Sequence, residues 1–383
     1  MNRSVERRQF GAIGTIPGEI LVGHHYTHPV RGPVRCPAAP LVAAGLRRAG
    51  HRVREVQCLR LAAHGDGDGS LFAASYVDRG GHAVGLVAAV HRADEARLAA
   101  AREVIMTWSA VWRTRRVMVA DVRTACAASA FAVEIPGPRR RRIDALPAPR
   151  DRASGGTTTM PPAVHVPRDP GVAATCAHVA RAHAEAQQFA DNGDHLVVVG
   201  SRDHAETSAL LARASGRGIV VESEEEVAAL DLPADRVGYL VQPGARIEAA
   251  MAVLASLRRR YPRSRGAHPD HLCYAGSDRL ETIRLVIGAS DRTILLGDPD
   301  VTTSCVTNAA AVAVVDDPTL LRPAWLAGAE CVGVVPAGPP GAALLPRLID
   351  LLSGLGPVMV LHRRVITGTA SAETGEVSNS LLR

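Results

Sequence analysis

The sequence predicts an α/β fold of three modules in series, each a small parallel sheet flanked by helices. Short β-branched runs alternate with Ala-, Leu- and Arg-rich segments of helical pattern, as expected for βαβ units. Apolar residues make up 47% of the 383 positions but aromatic residues only 3%, so the cores must be built from Val, Leu, Ile and Ala. One cysteine per module precedes a predicted helix, and a pseudo-threefold arrangement would bring these three to one central site.

The module boundaries follow from where the strand and helix patterns stop and resume. The first module covers residues 15–170, with an insertion at about 104–162 that ends in a Pro-, Gly- and Thr-rich stretch. The second covers 171–270 and the third 271–355, and residues 356–383 form an extended tail. The predicted strands are 19–23, 84–90, 196–200, 218–222, 237–241, 293–297 and 331–335, and one of the predicted helices covers 307–314.

Composition and charge argue against several classes of function. Seven cysteines without a closely spaced ladder indicate a reducing compartment. The N-terminal residues lack the apolar core of a signal peptide, and no stretch is long and apolar enough to span a bilayer, so a soluble cytoplasmic protein is expected. The net charge of +6 suits an anionic small molecule. Nucleic acid is not expected, because the basic runs at 139–142 and 258–265 are not interleaved with several aromatic residues.

The candidate chemistry centres on Cys36, Cys176 and Cys273, which each fall at a junction before a helix. Parallel α/β proteins place functional residues at such junctions, and helix N-termini favour the thiolate form that binds metals. Spacing alone is weak support, because dispersed cysteines are more often ordinary buried residues. The remaining cysteines are placed less regularly: Cys58, Cys126, Cys305 and Cys331.

The sequence around two of these cysteines resembles the 4-hydroxy-3-methylbut-2-enyl diphosphate reductase family. Residues 174–179 are similar to the family's A-T-C-P-L-V, although the proline is lost. Residues 200–206 resemble its G-H-x-G-H-P-E turn and keep the last His and the Glu. The most specific match is residues 271–279, with Cys273 and an Arg six positions later, against D-I-C-Y-A-T-x-N-R.

The resemblance thins before residue 174. Cys36 stands where the family has G-F-C-A-G-V, and His91 resembles the histidine of its S-A-H-G-V-S motif. His64, in Ala-His-Gly, corresponds to the remaining family histidine. Residues 104–162 have no counterpart in the family, which marks them as an insertion.

The resemblance implies a reductase with a 4Fe-4S cluster held by Cys36, Cys176 and Cys273, whose open iron binds the substrate hydroxyl. It implies that Glu206 donates protons in the last step of non-mevalonate isoprenoid synthesis, with a diphosphate as substrate and an electron donor such as ferredoxin or flavodoxin. The substrate-binding residues implied in the same way are His204, His91, His64, Thr302, Thr303 and Ser304.

Departures from the family fall on the expected substrate pocket. The family's Q-T-T reads Gln242-Pro243-Gly244, its S-S-N triplet becomes residues 301–304, and its A-G-A-S-A-P becomes residues 337–341 without the serine. Each lost hydrogen bond to a charged group weakens binding by about 1.5–3 kcal/mol. The three cysteine ligands therefore match the family's motifs better than the residues of the substrate pocket do. This difference indicates a divergent member of the family with a changed substrate.

Two other interpretations stay open at the level of sequence. In one, the chain is a non-catalytic or sensory iron–sulfur protein whose insertion, with the basic run 139–142, binds a partner or nucleic acid. In the other, it is a cluster-free α/β protein that binds anionic metabolites.

Overall fold

The computed structural model describes residues 5–62, 67–78, 80–122, 176–266, 268, 271–297 and 311–367. These residues form two compact units. Unit 1 contains the described residues within 1–122 and 283–363, and unit 2 those within 147–282 and 364–383. Each unit combines helices with a parallel sheet, so the chain is a mixed α/β protein.

The first part of unit 1 is a closed six-stranded barrel with the strand order β1-β4-β2-β3-β6-β5. Its strands are β1 (Glu6–Ile13), β2 (Ile20–His28), β3 (Gly32–Arg35), β4 (Val53–Leu61), β5 (Gly69–Val77) and β6 (Ala83–His91). Helix α1 (Ala39–Arg48) lies between β3 and β4, and helix α2 (Glu95–Ala110) follows β6 and leads to β7 (Arg115–Ala120).

The barrel corrects the predicted small parallel sheet of the first module. Strands β2 and β3, and likewise β5 and β6, are joined by short hairpin connections and pair antiparallel. Strands β2 and β4 are separated by α1 and pair in parallel. Connection length therefore decides the strand direction here, since a parallel pair needs a crossover of a dozen or more residues.

Unit 2 has a four-stranded parallel sheet with the order β11-β10-β8-β9. Its helices and strands are α3 (Ala177–Asp191), β8 (His195–Val199), α4 (Ala205–Arg213), β9 (Gly218–Val221), α5 (Glu224–Ala229), β10 (Val237–Val241), α6 (Ile247–Arg260) and β11 (Arg265–Gly266). Helix α7 (Ala275–Gly288) begins in this unit and ends in unit 1. The βα alternation predicted for this segment is confirmed.

The second part of unit 1 is a five-stranded parallel sheet with the order β13-β12-β14-β7-β15. It contains β12 (Arg292–Gly297), β13 (Val312–Val315), helix α8 (Pro323–Leu326), β14 (Cys331–Ala337), helix α9 (Gly338–Ser353) and β15 (Val358–Arg363). The helix predicted over 307–314 is wrong in its described part, because the valine-rich segment at 312–315 pairs with β12. Branched side chains favour the strand.

One strand of this sheet comes from the predicted insertion and another from the predicted tail. Strand β7 lies between β14 and β15 and pairs in parallel with both. One apolar core joins this sheet to the barrel, and the buried indole of Trp108 on α2 belongs to it. Among the described helices, none has the length and apolar character to cross a membrane.

Candidate active site

Two of the three predicted cysteine ligands lie together in unit 2. Cys176 is the N-cap residue of α3, and Cys273 lies two positions before the start of α7. Both side chains are buried in one small cluster with Val179, and Ala275 packs against it. The start of each helix therefore brings a thiol to the same apolar site.

Cys36 lies in unit 1, between the end of β3 and the start of α1. Its side chain is only 1% exposed and belongs to the apolar core of that unit. Burial raises the pKa of the Cys36 thiol, so the uncharged form is favoured. This direction is opposite to the lowered pKa expected of a thiol near a helix N-terminus.

Unit 2 supplies two of the three cysteine ligands predicted for the cluster. Cys176 and Cys273 supply two buried thiols in an apolar environment, a donor type that suits iron–sulfur clusters. Among the residues that the structure describes, no group of three or more His, Cys, Asp or Glu side chains is placed to hold a metal ion. A third thiolate would have to come from outside this pair.

The predicted proton donor lies at the start of α4, just after the carboxyl end of β8. His204 is the N-cap residue, and its Nδ1 accepts a hydrogen bond from the backbone N–H of Glu206 at 3.1 Å. The Glu206 side chain is 10% exposed and sits in the first turn, where the helix dipole favours a negative charge. His204 therefore has a structural role as a cap, and it orients the turn that carries Glu206.

Gln242 connects the ends of β8 and β10. Its Oε1 accepts hydrogen bonds from the backbone N–H of Ser201 at 2.8 Å and from Oγ1 of Thr207 at 3.0 Å. Only a glycine fits at position 200, since a Cβ there would lie 2.4 Å from this Oε1. The hydrogen bond from the buried Thr207 hydroxyl holds the glutamine against α4.

A shallow cleft opens beside Cys273 in the same unit. Helix α3 and strand β10 line it together with His271 and Pro243. His178 and Arg181 on α3 give the cleft a basic side, and Glu185 lies 3.3 Å from Nδ1 of His271. The cleft therefore joins one of the two thiols to groups that can bind an anion.

One further predicted binding residue, His91, lies in unit 1. His91 ends β6 in unit 1, where its Nδ1 accepts a hydrogen bond from the backbone N–H of Ala93 at 3.3 Å. The other four lie outside the described residues: His64, Thr302, Thr303 and Ser304.

Sequence analysis missed two residues beside Glu206. Nε2 of His183 lies 2.7 Å from Oε1 of Glu206, and Nε of Arg213 donates to Nδ1 of His183 at 2.7 Å. His183 follows Cys176 by seven residues, so the two residues lie on the same face of α3. This spacing was the signal in the sequence that could have pointed to His183. Arg213 could not be found in this way, because its contact is made between α3 and α4.

Comparison with protein-family models finds a match over part of the chain. Residues 162–345 match the family model described as LytB protein. This segment includes both buried cysteines of unit 2 and the turn that begins α4. Residues 162–345 are therefore similar to the LytB family.

Curated relatives of this LytB segment carry one name. The chain is 29% identical over 205 residues to 4-hydroxy-3-methylbut-2-enyl diphosphate reductase 2 of Mycobacterium bovis, covering 52% of this chain and 62% of that protein. It is 27% identical over 198 residues to the 4-hydroxy-3-methylbut-2-enyl diphosphate reductase of Zymomonas mobilis, covering 50% and 58%. The chain therefore spans about three fifths of the length of these relatives.

Solved structures give the same name with a weaker likeness. The E-1-hydroxy-2-methyl-but-2-enyl-4-diphosphate reductase from Plasmodium falciparum is 17% identical, with a TM-score of 0.41, over 49% of this chain and 63% of that one. The LytB assignment rests on the sequence match and not on this superposition.

Proposed function

We propose that the chain is an iron–sulfur reductase that removes the hydroxyl group of an allylic diphosphate, as in the last step of the non-mevalonate isoprenoid route. The observation that carries the proposal is the buried pairing of Cys176 with Cys273 in the unit that also holds Glu206. The names of the LytB relatives support the reaction class.

In this proposal Cys176, Cys273 and Cys36 hold a 4Fe-4S cluster at the centre of three pseudo-threefold modules. When bound, such a cluster supplies electrons and a Lewis-acidic iron that activates the hydroxyl as a leaving group. Cys36 must lose its thiol proton on binding, at a cost that burial of its side chain increases. The apolar surroundings of the Cys176–Cys273 pair would keep water away from that side of the site.

The reaction needs two electrons and two protons for each substrate. The C–O bond breaks, the oxygen leaves as water, and the allylic carbon skeleton takes up a hydrogen. A ferredoxin or flavodoxin would supply the electrons, and Glu206 would deliver protons from its nearly buried carboxyl group. Acid–base catalysis of this kind contributes typically about 10²- to 10⁴-fold in rate.

The diphosphate of the substrate would be bound by histidine side chains and by hydroxyl groups. His204 would take part through its buried Nε2, because Nδ1 accepts a hydrogen bond from the N–H of Glu206. His91 and His64, with Thr302, Thr303 and Ser304, complete the proposed set of contacts to the diphosphate. The loss of family hydroxyls at positions 243 and 244 favours an altered substrate within the allylic diphosphates.

Anaerobic purification with iron and sulfide analysis tests the cluster. Wild type should contain iron and sulfide in equal amounts, and Cys176→Ser and Cys273→Ser should each lose most of both. Cys58→Ser is the matched control, because Cys58 is exposed and unpaired with another cysteine. Protein without iron after strictly anaerobic reconstitution would reject the proposal.

Turnover tests the reaction separately. Reduced, cluster-loaded wild type should convert 4-hydroxy-3-methylbut-2-enyl diphosphate or a close analogue, and Glu206→Gln should slow it by about 10² or more. A stable cluster with no turnover of any allylic diphosphate would contradict the reductase proposal.

A further inference from the structure

Three side chains of unit 2 form a continuous polar chain that ends at Glu206. The guanidinium of Arg213, at the end of α4, contacts Nδ1 of His183 through Nε at 2.7 Å. The opposite nitrogen of that imidazole, Nε2, lies 2.7 Å from Oε1 of Glu206. His183 on α3 thus lies between the guanidinium at the end of α4 and the carboxyl group at the start of α4.

The contact with Arg213 decides the tautomer of His183. A guanidinium has only donors, so the ring nitrogen that faces it must be an acceptor without a proton. The proton of the neutral imidazole is therefore on Nε2, facing Glu206.

The geometry points to His183, held by Arg213, as a positioning residue for the proton donor Glu206. This inference rests on the proposed function. One carboxyl oxygen, Oε1, faces Nε2 of His183 at 2.7 Å, which leaves the other oxygen as the one that carries the transferable proton. Once that proton has moved to the substrate, the carboxylate left on Glu206 is stabilised by the donor that was already in place.

The contact is close but not fully aligned in the structure. The Nε2–Oε1 distance is that of a strong hydrogen bond, yet Oε1 makes no well-directed hydrogen bond to the described residues. Catalytic hydrogen bonds are often poorly aligned in the free enzyme and tighten when substrate is bound.

Histidine NMR of the cluster-free full chain tests the contact without turnover. In protein labelled with ¹⁵N-histidine, the His183 resonances, assigned by their loss in His183→Gln, should show a protonated Nε2 and an unprotonated Nδ1. Glu206→Gln should shift the Nε2 resonance, whereas Ser208→Ala, an exposed position on the same helix, should leave it unchanged. Averaged ring nitrogens, or no response to Glu206→Gln, would overturn the inference.

Kinetics of the loaded enzyme test the positioning role. His183→Leu should lower kcat about tenfold with little change in KM, which is the effect of losing one hydrogen bond to a charged group. His183→Gln keeps an N–H donor near the same place and should restore most of the rate. His195→Gln, at the opposite end of β8, is the control and should behave as wild type.

The outcomes separate this inference from the proposed function. A loss in His183→Leu that appears only in KM, or no rescue by His183→Gln, would refute the positioning role. If wild type converts no allylic diphosphate while the NMR results hold, the reductase proposal fails and the Arg213–His183–Glu206 arrangement stands.

Discussion

Gly200→Ala is a substitution at the site that the described structure penalises directly. A Cβ at this position would lie 2.4 Å from Oε1 and 2.5 Å from Cβ of Gln242, too close for either atom to stay in place. Gln242 would have to move, and both hydrogen bonds that its Oε1 accepts would break.

The cost can be worked from these contacts. Each hydrogen bond contributes about 1 kcal/mol, and the Thr207 hydroxyl, which is fully buried, would lose its acceptor at a further cost of about 1–3 kcal/mol. Overpacking adds about 1–3 kcal/mol. The expected loss is therefore about 4–8 kcal/mol in the local stability of unit 2.

Hydrogen exchange measured by mass spectrometry is the suitable assay, because it resolves β8 and β10 from the rest of a chain with two units. A loss of about 4 kcal/mol corresponds to exchange about 700-fold faster. Gly288→Ala is the matched control, because its Cβ meets no atom within 4 Å and alanine favours the helix. Unchanged protection of β8 and β10 in Gly200→Ala would refute the steric reasoning.

Three further substitutions test the fold and its dependence on pH. Hydrogen bonds from the backbone N–H groups of Cys331 and Glu330 lower the pKa of the Asp291 carboxyl group. The ionised carboxylate therefore stabilises the fold above the ordinary carboxyl pKa, and this stabilisation is lost as the pH falls through the lowered pKa. Asp291→Asn, which keeps an acceptor oxygen, should flatten the acid limb of a melting-temperature profile, and an unaltered limb would contradict this. Arg265→Met should destabilise unit 2 by about 2 kcal/mol in hydrogen-exchange experiments, because Arg265 contacts both oxygens of the buried Asp194 carboxylate at 2.7 Å. Equal protection in the variant and the wild type would show that this ion pair contributes nothing to stability. Trp108→Ala should lower the stability of unit 1 by about 3–5 kcal/mol in the same measurement, because it removes a buried indole from the core. A loss of stability below about 1 kcal/mol would mean that neighbouring side chains fill the cavity.

The strands and helices of unit 2 were predictable because each is a local pattern. The valine run of β8, the apolar pattern of β10 and the Ala-rich helix α3 before β8 are visible in the sequence. Strand β7 was not predicted, because its short run lies beside a basic and Pro-rich stretch and is completed only by pairing with β14 and β15. The closed barrel was missed for a similar reason, since closure depends on contacts between distant strands.

The sequence by itself determined the segments that carry the chemistry: Cys176 and Cys273 before helices, and the His204–Glu206 turn after a valine strand. These features are local, so a motif of six to nine residues contains them. Only the tertiary structure decided that the two thiols share one buried cluster and that Arg213 and His183 reach Glu206. Such contacts depend on how helices pack across a sheet, and side-chain packing between residues far apart in the chain leaves no periodic pattern in the sequence.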